Sequence, residues 1–571
     1  MLPRVQGGRV GTLARRFAVS SLAVSALTAT AAAQTTTLSP RDSARAATAS
    51  RLVEAPTIGS DLEERARLGQ LRGVGSTSGF LVRSLSSELG VFAPSDSLQW
   101  TLLAPELLVI DNSAQPFTQN DGAMWAGRGT NWRLSIGAAA SLGPLRLVLA
   151  PEIVRSENRE FQEVETDIWH RPFIDWGKLS RWASPWHQHP FPADEPVRFG
   201  EEKLSEVGLG QSSLWAEWRS LAAGVSSENL WWGPGIHDAL IMTNSAAGVP
   251  HAFLRTAAPV RTPVGDFEGR WIVGSLKESE FYDYDPDNDY RSLSAAVVTW
   301  RPRWEPDLTV GVARAVFGAA DGQADAFVRW FDVLDPGERP NARPWSDSAY
   351  TGGRDQLTSL FARWIFPGHG VEVYGEVGRA ERPASLRDFL VDPNHTLGYV
   401  LGGQVARPLP LIRGQWRLQA EFTQLEQTSA YRYRPTHSWY SSRAAPQGYT
   451  HQGQMIGSAA GPGSSHQWLA ADLFGERWSA GAFVGRWRRN NDAWFLVNAP
   501  EGTGWCEYDT TLYPGFRGSY RAPALGVLRA ELILGNRLNA WNQHNAGCPN
   551  PDNRRDVRNR TIRFSLTPLV F

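Results

Sequence analysis

The 571-residue chain has few of the features by which soluble enzymes and disulfide-rich secreted proteins are recognised. It contains 2 Cys, too few for a disulfide scaffold. Downstream of the first 33 residues there is no run of 18 apolar residues, which excludes a membrane-spanning helix there. The net charge of -1 argues against a nucleic-acid partner. Because Gly-x-Ser-x-Gly, His-Glu-x-x-His and phosphate-loop motifs are also missing, nothing in the sequence indicates an enzyme.

The chain is rich instead in aromatic residues and glycine, with 25 Trp, 24 Phe and 54 Gly, and in alternating polarity. In "QWRLQAEFTQ", Leu418 and Phe422 share one face and Arg417 and Glu421 the other. This pattern is typical of a strand with lipid on one side and a polar lumen on the other. A soluble β-sandwich is the alternative, but many segments reach the ~9–11 residues that cross a bilayer.

We therefore predict an all-β transmembrane protein, an antiparallel outer-membrane β-barrel of about 18 strands over residues 98–571. The predicted strands are 98–110, 131–141, 145–155, 211–219, 221–228, 251–261, 267–280, 290–301, 307–317, 355–366, 370–380, 397–407, 413–427, 466–475, 477–490, 514–521, 525–538 and 558–571. Their connections are alternately short and mostly long, as expected for short periplasmic turns and long extracellular loops.

Two segments precede the predicted barrel. Residues 1–33 combine a basic start, an apolar run and an Ala-x-Ala cleavage site, which predicts a cleaved signal peptide and secretion. Residues 34–97 are predicted to be a partly helical periplasmic segment. Ser60 is a candidate N-cap for a first helix, and residues 79–89 have the pattern of a second.

One connection, "ENLWWGPGIHDALIMTNSAAGVPH", is unusually aromatic. Trp231 and Trp232 offer flat faces on which sugar rings stack, and Asn244 offers a hydrogen-bonding amide. Gly233, Pro234 and Gly235 are interpreted as a structural elbow. Alternatively, both tryptophans pack the connection as a plug or join an interfacial aromatic belt, and their spacing alone favours this alternative.

The stretch "NLWWGPGIHDALIMTNSAAGVPHAFL" resembles the signature segment of the Wzi-type capsule-assembly family of outer-membrane proteins. A second stretch, "GYTHQGQMIGSAAGPGS" (448–464), resembles a later region of the same family. The resemblance implies an eighteen-stranded barrel with a helical periplasmic segment and a lectin-like, non-enzymatic role. It adds Tyr449 and His451 to the candidate polysaccharide-binding residues.

Two clusters could bind metal. Asp283, Asp285, Asp287 and Asp289 alternate in "FYDYDPDNDY", and oxygen ligands so spaced could hold Ca²⁺. They lack the glycine and distal Glu of an EF-hand loop, so a solvated loop is favoured and no cofactor is assigned. His187 and His189 form an isolated His-x-His that is more often incidental.

The strand order places Cys506 and Cys548 on neighbouring hairpins at the outer end of the barrel. Export through an oxidising compartment favours a disulfide between them over two free thiols.

These observations predict a monomeric protein of the Gram-negative-type outer membrane that binds or anchors capsular or other exported polysaccharide. Its other expected partners are outer-membrane lipids, lipopolysaccharide and the barrel-insertion machinery, with no nucleic acid. A porin-like diffusion channel and an outer-membrane hydrolase remain alternatives. Lumenal charges of both signs, such as Arg417 and Glu421, suggest mutual pairing and so disfavour a charge-selective channel.

Overall fold

The computed structural model describes residues 52–74 (except 56), 82–83, 96–163, 180–184, 192–335 (except 284 and 286), 353–428 (except 384), 436–493 (except 443), 508–542 (except 524) and 556–569. The predicted signal peptide, the His187–His189 pair and both cysteines lie outside these residues. The predicted domain boundary at residue 97 stays a prediction.

Within the described residues, eighteen antiparallel strands close into one barrel, as predicted. They are β1 (Gln99–Asn112), β2 (Gly129–Leu142), β3 (Leu145–Leu149 and Glu152–Ser156), β4 (Leu204–Gly208 and Ser213–Trp218), β5 (Leu221–Ser226), β6 (His251–Thr256 and Val260–Thr262), β7 (Gly265–Lys277), β8 (Tyr290–Pro302), β9 (Leu308–Ala319), β10 (Arg354–Phe366), β11 (Val371–Arg379), β12 (Leu397–Leu409), β13 (Gly414–Gln424), β14 (Ser465–Phe474), β15 (Trp478–Arg488), β16 (Thr510–Ala522), β17 (Gly526–Leu538) and β18 (Val557–Thr567). Each strand pairs with the next, and β18 closes the barrel on β1, where Leu566 lies opposite Leu107.

Two of the interrupted strands, β3 and β6, break beside a proline, at Pro151 and Pro259, because proline has no N–H for the ladder. The predicted start of β16 at Pro514 is wrong. The strand begins at Thr510 and carries Pro514 in its interior, opposite Val484.

The two faces of the wall differ as the alternation predicts. Leu418 and Phe422 point outward with 49% and 43% of their surface exposed, whereas Arg417 and Glu421 are buried in the lumen. Some lumenal charges are paired, but Arg417 and Glu421 do not pair with each other. Arg417 contacts Asp472 on the neighbouring strand at 2.7 Å, while Glu421 serves a different purpose described below.

The helix α1 (Asp61–Leu71) lies at the end of the barrel that carries the short turns, the periplasmic end, where Arg65 Nη1 donates to Gly475 O at 3.3 Å. Ser60 Oγ caps it by accepting from Glu63 N at 3.2 Å, as predicted. Leu68 and Leu71 pack in one cluster with wall residues. No helix of the described residues is long and apolar enough to cross a membrane.

The second predicted helix, over 79–89, is wrong where the structure describes it. Val82–Arg83 is instead a short strand that pairs antiparallel with Trp231–Trp232. This segment forms a strand because the connection from β5, distant in the sequence, supplies a backbone partner. The local sequence pattern does not reveal such a tertiary contact.

Candidate functional site in the barrel lumen

The long connection from β5 to β6, residues 227–250, folds into the lumen. Trp231 and Trp232 are 1% and 0% exposed, and Trp232 N donates to Met242 O at 3.1 Å. The Gly-Pro-Gly elbow is sterically required, since a Cβ on Gly233 would lie 2.7 Å from Glu376 Oε2 and one on Gly235 1.9 Å from Asp238 O. This burial supports the packing alternative for the two rings. Polysaccharide contact by these rings stays a prediction, and in this conformation both rings are covered.

Carboxylates of the barrel wall hold this connection by its backbone. Ile236, His237 and Asp238 donate their backbone N–H groups to Glu421, at 2.6, 3.0 and 2.8 Å. Leu240 N donates in the same way to Glu376 Oε2 at 3.0 Å. These bonds satisfy backbone donors that the lumen hides from water. The alternating polarity of their strands predicts that Glu421 and Glu376 face the lumen. It does not predict that they bind the backbone of this connection.

Asp238 is the polar centre of the plug. His466 Nδ1 lies 2.9 Å from its Oδ2, Thr423 Oγ1 donates to the same oxygen at 2.9 Å, and Ser458 Oγ donates to Oδ1 at 2.6 Å. Burial alone would raise the pKa of Asp238, but the hydrogen bond and charge of His466 and the two hydroxyls outweigh it and lower that pKa. The carboxylate is therefore held ionised in the centre of the lumen. Asp238 lies within the quoted signature stretch.

The second signature stretch packs against the first. Thr243 N donates to Ile456 O at 2.9 Å, and Tyr440 Oη donates to Leu240 O at 2.9 Å. Two stretches some two hundred residues apart in the sequence thus form one plug, for which we use the term lumenal plug, comprising residues 227–250 and 436–464.

Tyr449 and His451 are buried inside this plug. The Tyr449 ring stacks 6.1 Å from that of Tyr440 and lies 5.1 Å from Phe317. His451 Nδ1 accepts from Lys277 N at 3.1 Å. Burial, with repulsion from Arg291 and Lys277, lowers the pKa of His451 to about 3. The ring is therefore neutral at physiological pH. As ligand contacts, both residues stay predictions.

Asn244 is the candidate residue that keeps access to solvent. It is half-buried and donates through Nδ2 to Asn120 O at 3.0 Å. Its side chain borders a cavity of about 970 Å³ between the plug, α1 and the wall. That cavity has aromatic and charged linings, including Trp468, Tyr513 and Arg517.

The outer end of the barrel presents two tryptophans that sequence analysis missed. Trp182 is half-buried, with the Arg181 guanidinium 4.0 Å from its ring centre and that of Arg198 5.5 Å away. Trp541 is also half-buried, 4.3 Å from the Arg537 guanidinium. The sequence feature that marks both tryptophans is a nearby arginine. Such pairs are common in protein sequences, so this feature alone does not identify a binding residue.

The acidic stretch is a set of local turns. Asp283 Oδ1 accepts from Asp285 N at 2.8 Å, and Asp285 Oδ1 from Asp287 N at 3.1 Å. Among the residues that the structure describes, no group of three or more His, Cys, Asp or Glu side chains is arranged to hold a metal ion. Calcium binding at Asp283, Asp285, Asp287 and Asp289 stays a prediction.

The chain is similar to one known protein family and to several solved outer-membrane barrels. The model of the family described as capsule assembly protein Wzi matches residues 111–471. None of the curated proteins matches significantly. The Escherichia coli outer-membrane protein Wzi is 12% identical, with 82% of this chain and 85% of that chain covered and a TM-score of 0.49. OprD from Pseudomonas aeruginosa is 8% identical, with coverages of 86% and 98% and a TM-score of 0.38. OccAB2 of Acinetobacter baumannii is 9% identical, with coverages of 84% and 99% and a TM-score of 0.37.

The family match spans more than half of the chain and includes both signature stretches, which meet in the lumenal plug. The closed barrel has the apolar outer wall and polar lumen of an outer-membrane protein. The chain is an outer-membrane β-barrel that belongs to the Wzi capsule assembly family.

Proposed function

We propose that this protein is a non-enzymatic barrel that holds an exported polysaccharide at the cell surface. The family to which it belongs is named for capsule assembly, and the Escherichia coli Wzi is described as a carbohydrate-binding β-barrel. The observation that carries the proposal is the lumenal plug, which Glu421 and Glu376 bind through its backbone. A barrel whose connections are fixed in its own lumen is better suited to presenting a binding surface than to passing solutes.

The outer-end tryptophans are the proposed sugar contacts. Aromatic faces stack on the apolar faces of sugar rings, and guanidinium groups pair with the carboxylates that many surface polysaccharides carry. Trp182 combines both groups, because the neighbouring Arg181 side chain is 65% exposed. Trp541 adds a half-buried ring, held against the buried Arg537, which pairs with Asp509. Trp231 and Trp232 are buried from solvent. In this proposal they pack within the lumenal plug and support the sugar-binding surface above it.

The test is polysaccharide retention by cells that carry Trp182→Ala together with Trp541→Ala. If each ring contributes about 1 kcal/mol, the double variant binds roughly thirty-fold more weakly. Polysaccharide should pass from the cell surface into the medium while the barrel still assembles. The matched control is Trp218→Ala, which removes a 67% exposed tryptophan at the periplasmic end and should leave retention unchanged.

Two outcomes would overturn the proposal. One is full retention by the properly inserted double variant together with unchanged binding of purified polysaccharide. The other is a steady, porin-like conductance of the purified protein in planar bilayers, because the lumenal plug should block ion flow. Conductance would favour the diffusion-channel alternative.

A further inference from the structure

Two connections at the outer end of the barrel carry exposed apolar side chains. The first is Gln323–Leu334, on which Val328, Phe331 and Leu334 are 72%, 70% and 66% exposed. The second contains the helix α2 (Leu386–Val391), on which Leu390 is 69% and Val391 71% exposed. Apolar side chains exposed together in this way mark a contact surface.

The first connection, which we name the outer flap (Gln323–Leu334), lies on the outside of the barrel. Ser294 Oγ donates to Trp330 O at 2.7 Å and accepts from Val333 N at 3.1 Å. Ser294 points outward, because it shares a face of β8 with Val298, four residues farther along, which is 46% exposed on the lipid-facing wall. The outward-facing Ser294 is therefore covered by the flap rather than exposed to lipid.

Further side chains of the wall complete this attachment. Trp271 Nε1 donates to Trp330 O at 3.0 Å, and the Phe331 ring lies edge-on to Trp271 at 5.4 Å. Arg314 Nη1 donates to Val333 O at 2.7 Å. Most of the flap is helical, over Gln323–Ala326 and Trp330–Leu334, and the wall supplies donors to Trp330 O and Val333 O. These bonds give its backbone groups the internal partners that a hydrocarbon environment requires.

The depth of the flap follows from the length of β8. Trp300 and Trp304, whose rings contact at 5.5 Å, mark the periplasmic aromatic belt on this side of the barrel. Ser294 lies six residues farther along the tilted strand, a rise of about 15 Å. The apolar band of such barrels is about 25 Å tall. The flap attached at Ser294 therefore lies within the hydrocarbon layer rather than above it.

The charges of the flap are compatible with that depth. Asp325 pairs with Arg329 at 2.6 Å, and Asp332 and Asp335 pair with Arg354 at 2.7 and 2.8 Å. Pairing lowers the cost of placing ionised groups near lipid.

The neighbouring helix α2 is attached in the same way. Arg379 ends β11 on its outward face, with its guanidinium 5.0 Å from the centre of the Phe389 ring, and it also donates to Pro393 O. The helix α2 is thus held on the outward side of the wall, in the next outer connection after that of the flap.

We infer that the outer flap and α2 are embedded in the outer leaflet, where Val328, Phe331, Leu334, Leu390 and Val391 contact the acyl chains of its lipid. The surface is continuous with the lipid-facing wall, since Val298 and Val312 of the same strands are each 46% exposed. The lipid-binding surface therefore includes folded loops as well as strands. This inference does not depend on the polysaccharide proposal.

The test is photo-crosslinking in intact outer membranes, with benzoylphenylalanine replacing Phe331 in the full-length protein. Phe331 is largely exposed, so the replacement leaves the wall contacts of Trp330 and Val333 in place. Leu360, 60% exposed on the lipid-facing wall, is the positive control position. Arg181, in a connection at the outer end, is the negative control position.

We expect lipid adducts from position 331 at a yield similar to that from position 360, detected as a lipid mass shift on the crosslinked peptide. Position 181 should give no comparable yield. A discrete protein adduct at position 331 would overturn the inference in favour of a protein partner. A lipid yield no higher than at position 181 would also overturn it, because the flap would then lie in water.

Discussion

Glu421 shows how much of the plug depends on a single side chain. It accepts three consecutive backbone N–H groups and a fourth hydrogen bond from Tyr374 Oη, at 2.6 Å. Each buried donor left without an acceptor costs about 1–3 kcal/mol. We therefore expect Glu421→Ala to lower the temperature at which the folded barrel loses its heat-modifiable migration on gels. Glu421→Gln, which keeps one acceptor oxygen, should lower it less.

The control for that comparison is Glu201→Ala. The Glu201 side chain is 64% exposed and pairs with Arg181 in solvent, so its loss should change stability by less than about 1 kcal/mol. If Glu421→Ala is as stable as Glu201→Ala, water replaces the Glu421 carboxylate as acceptor. The lumenal plug would then not depend on Glu421.

The strands and the connections differ in how far sequence predicts them. All eighteen strands were predicted because lipid and lumen impose opposite polarity on every second residue, a signal present within each segment. The plug could not be predicted in this way, because its contacts join distant residues. Asp238 and His466 are 228 positions apart, and Ile236 and Glu421 are 185 apart. The candidate ligand residues Trp231 and Trp232 were recognisable as special from sequence, but the local pattern did not tell a binding ring from a packing ring.

The element whose attachment is easiest to test is α1. Arg67 Nε donates to Glu372 Oε1 at 2.8 Å, and Arg67 Nη2 donates to Pro234 O at 2.7 Å, which joins the helix to both wall and plug. We expect Arg67→Met to weaken this attachment by about 2–3 kcal/mol, less than for an isolated buried pair because Arg363 also faces Glu372. Trypsin should then cleave within α1 faster in the folded barrel.

The matched variant is Arg72→Ala, since Arg72 is an exposed residue at the C-terminal end of the same helix. It should leave the rate of cleavage at Arg65 unchanged. Equal cleavage rates at Arg65 in both variants and the parent protein would contradict a holding role for Arg67.

At the scale of the whole molecule, the alternation of short and long connections orients the barrel. The short turns and α1 share one end, so the connections from β15 to β16 and from β17 to β18 share the other. Asp509 at the base of the first accepts from Arg537 Nε at 2.9 Å and from Trp541 N at 2.9 Å, both at the base of the second. The two connections are therefore joined where they leave the wall.

This arrangement sharpens the prediction of a disulfide between Cys506 and Cys548, which lie outside the described residues, one in each of these connections. A bond between them would close a loop of about 40 residues and stabilise the fold by roughly 3–4 kcal/mol through the unfolded chain. It would also hold Trp541 and its neighbouring connection in one arrangement for a ligand. An unreduced digest analysed by mass spectrometry should yield a peptide pair that joins the two cysteines. Two free thiols in protein recovered from the outer membrane would contradict the bond, and the Asp509 contacts alone would then hold the two connections together.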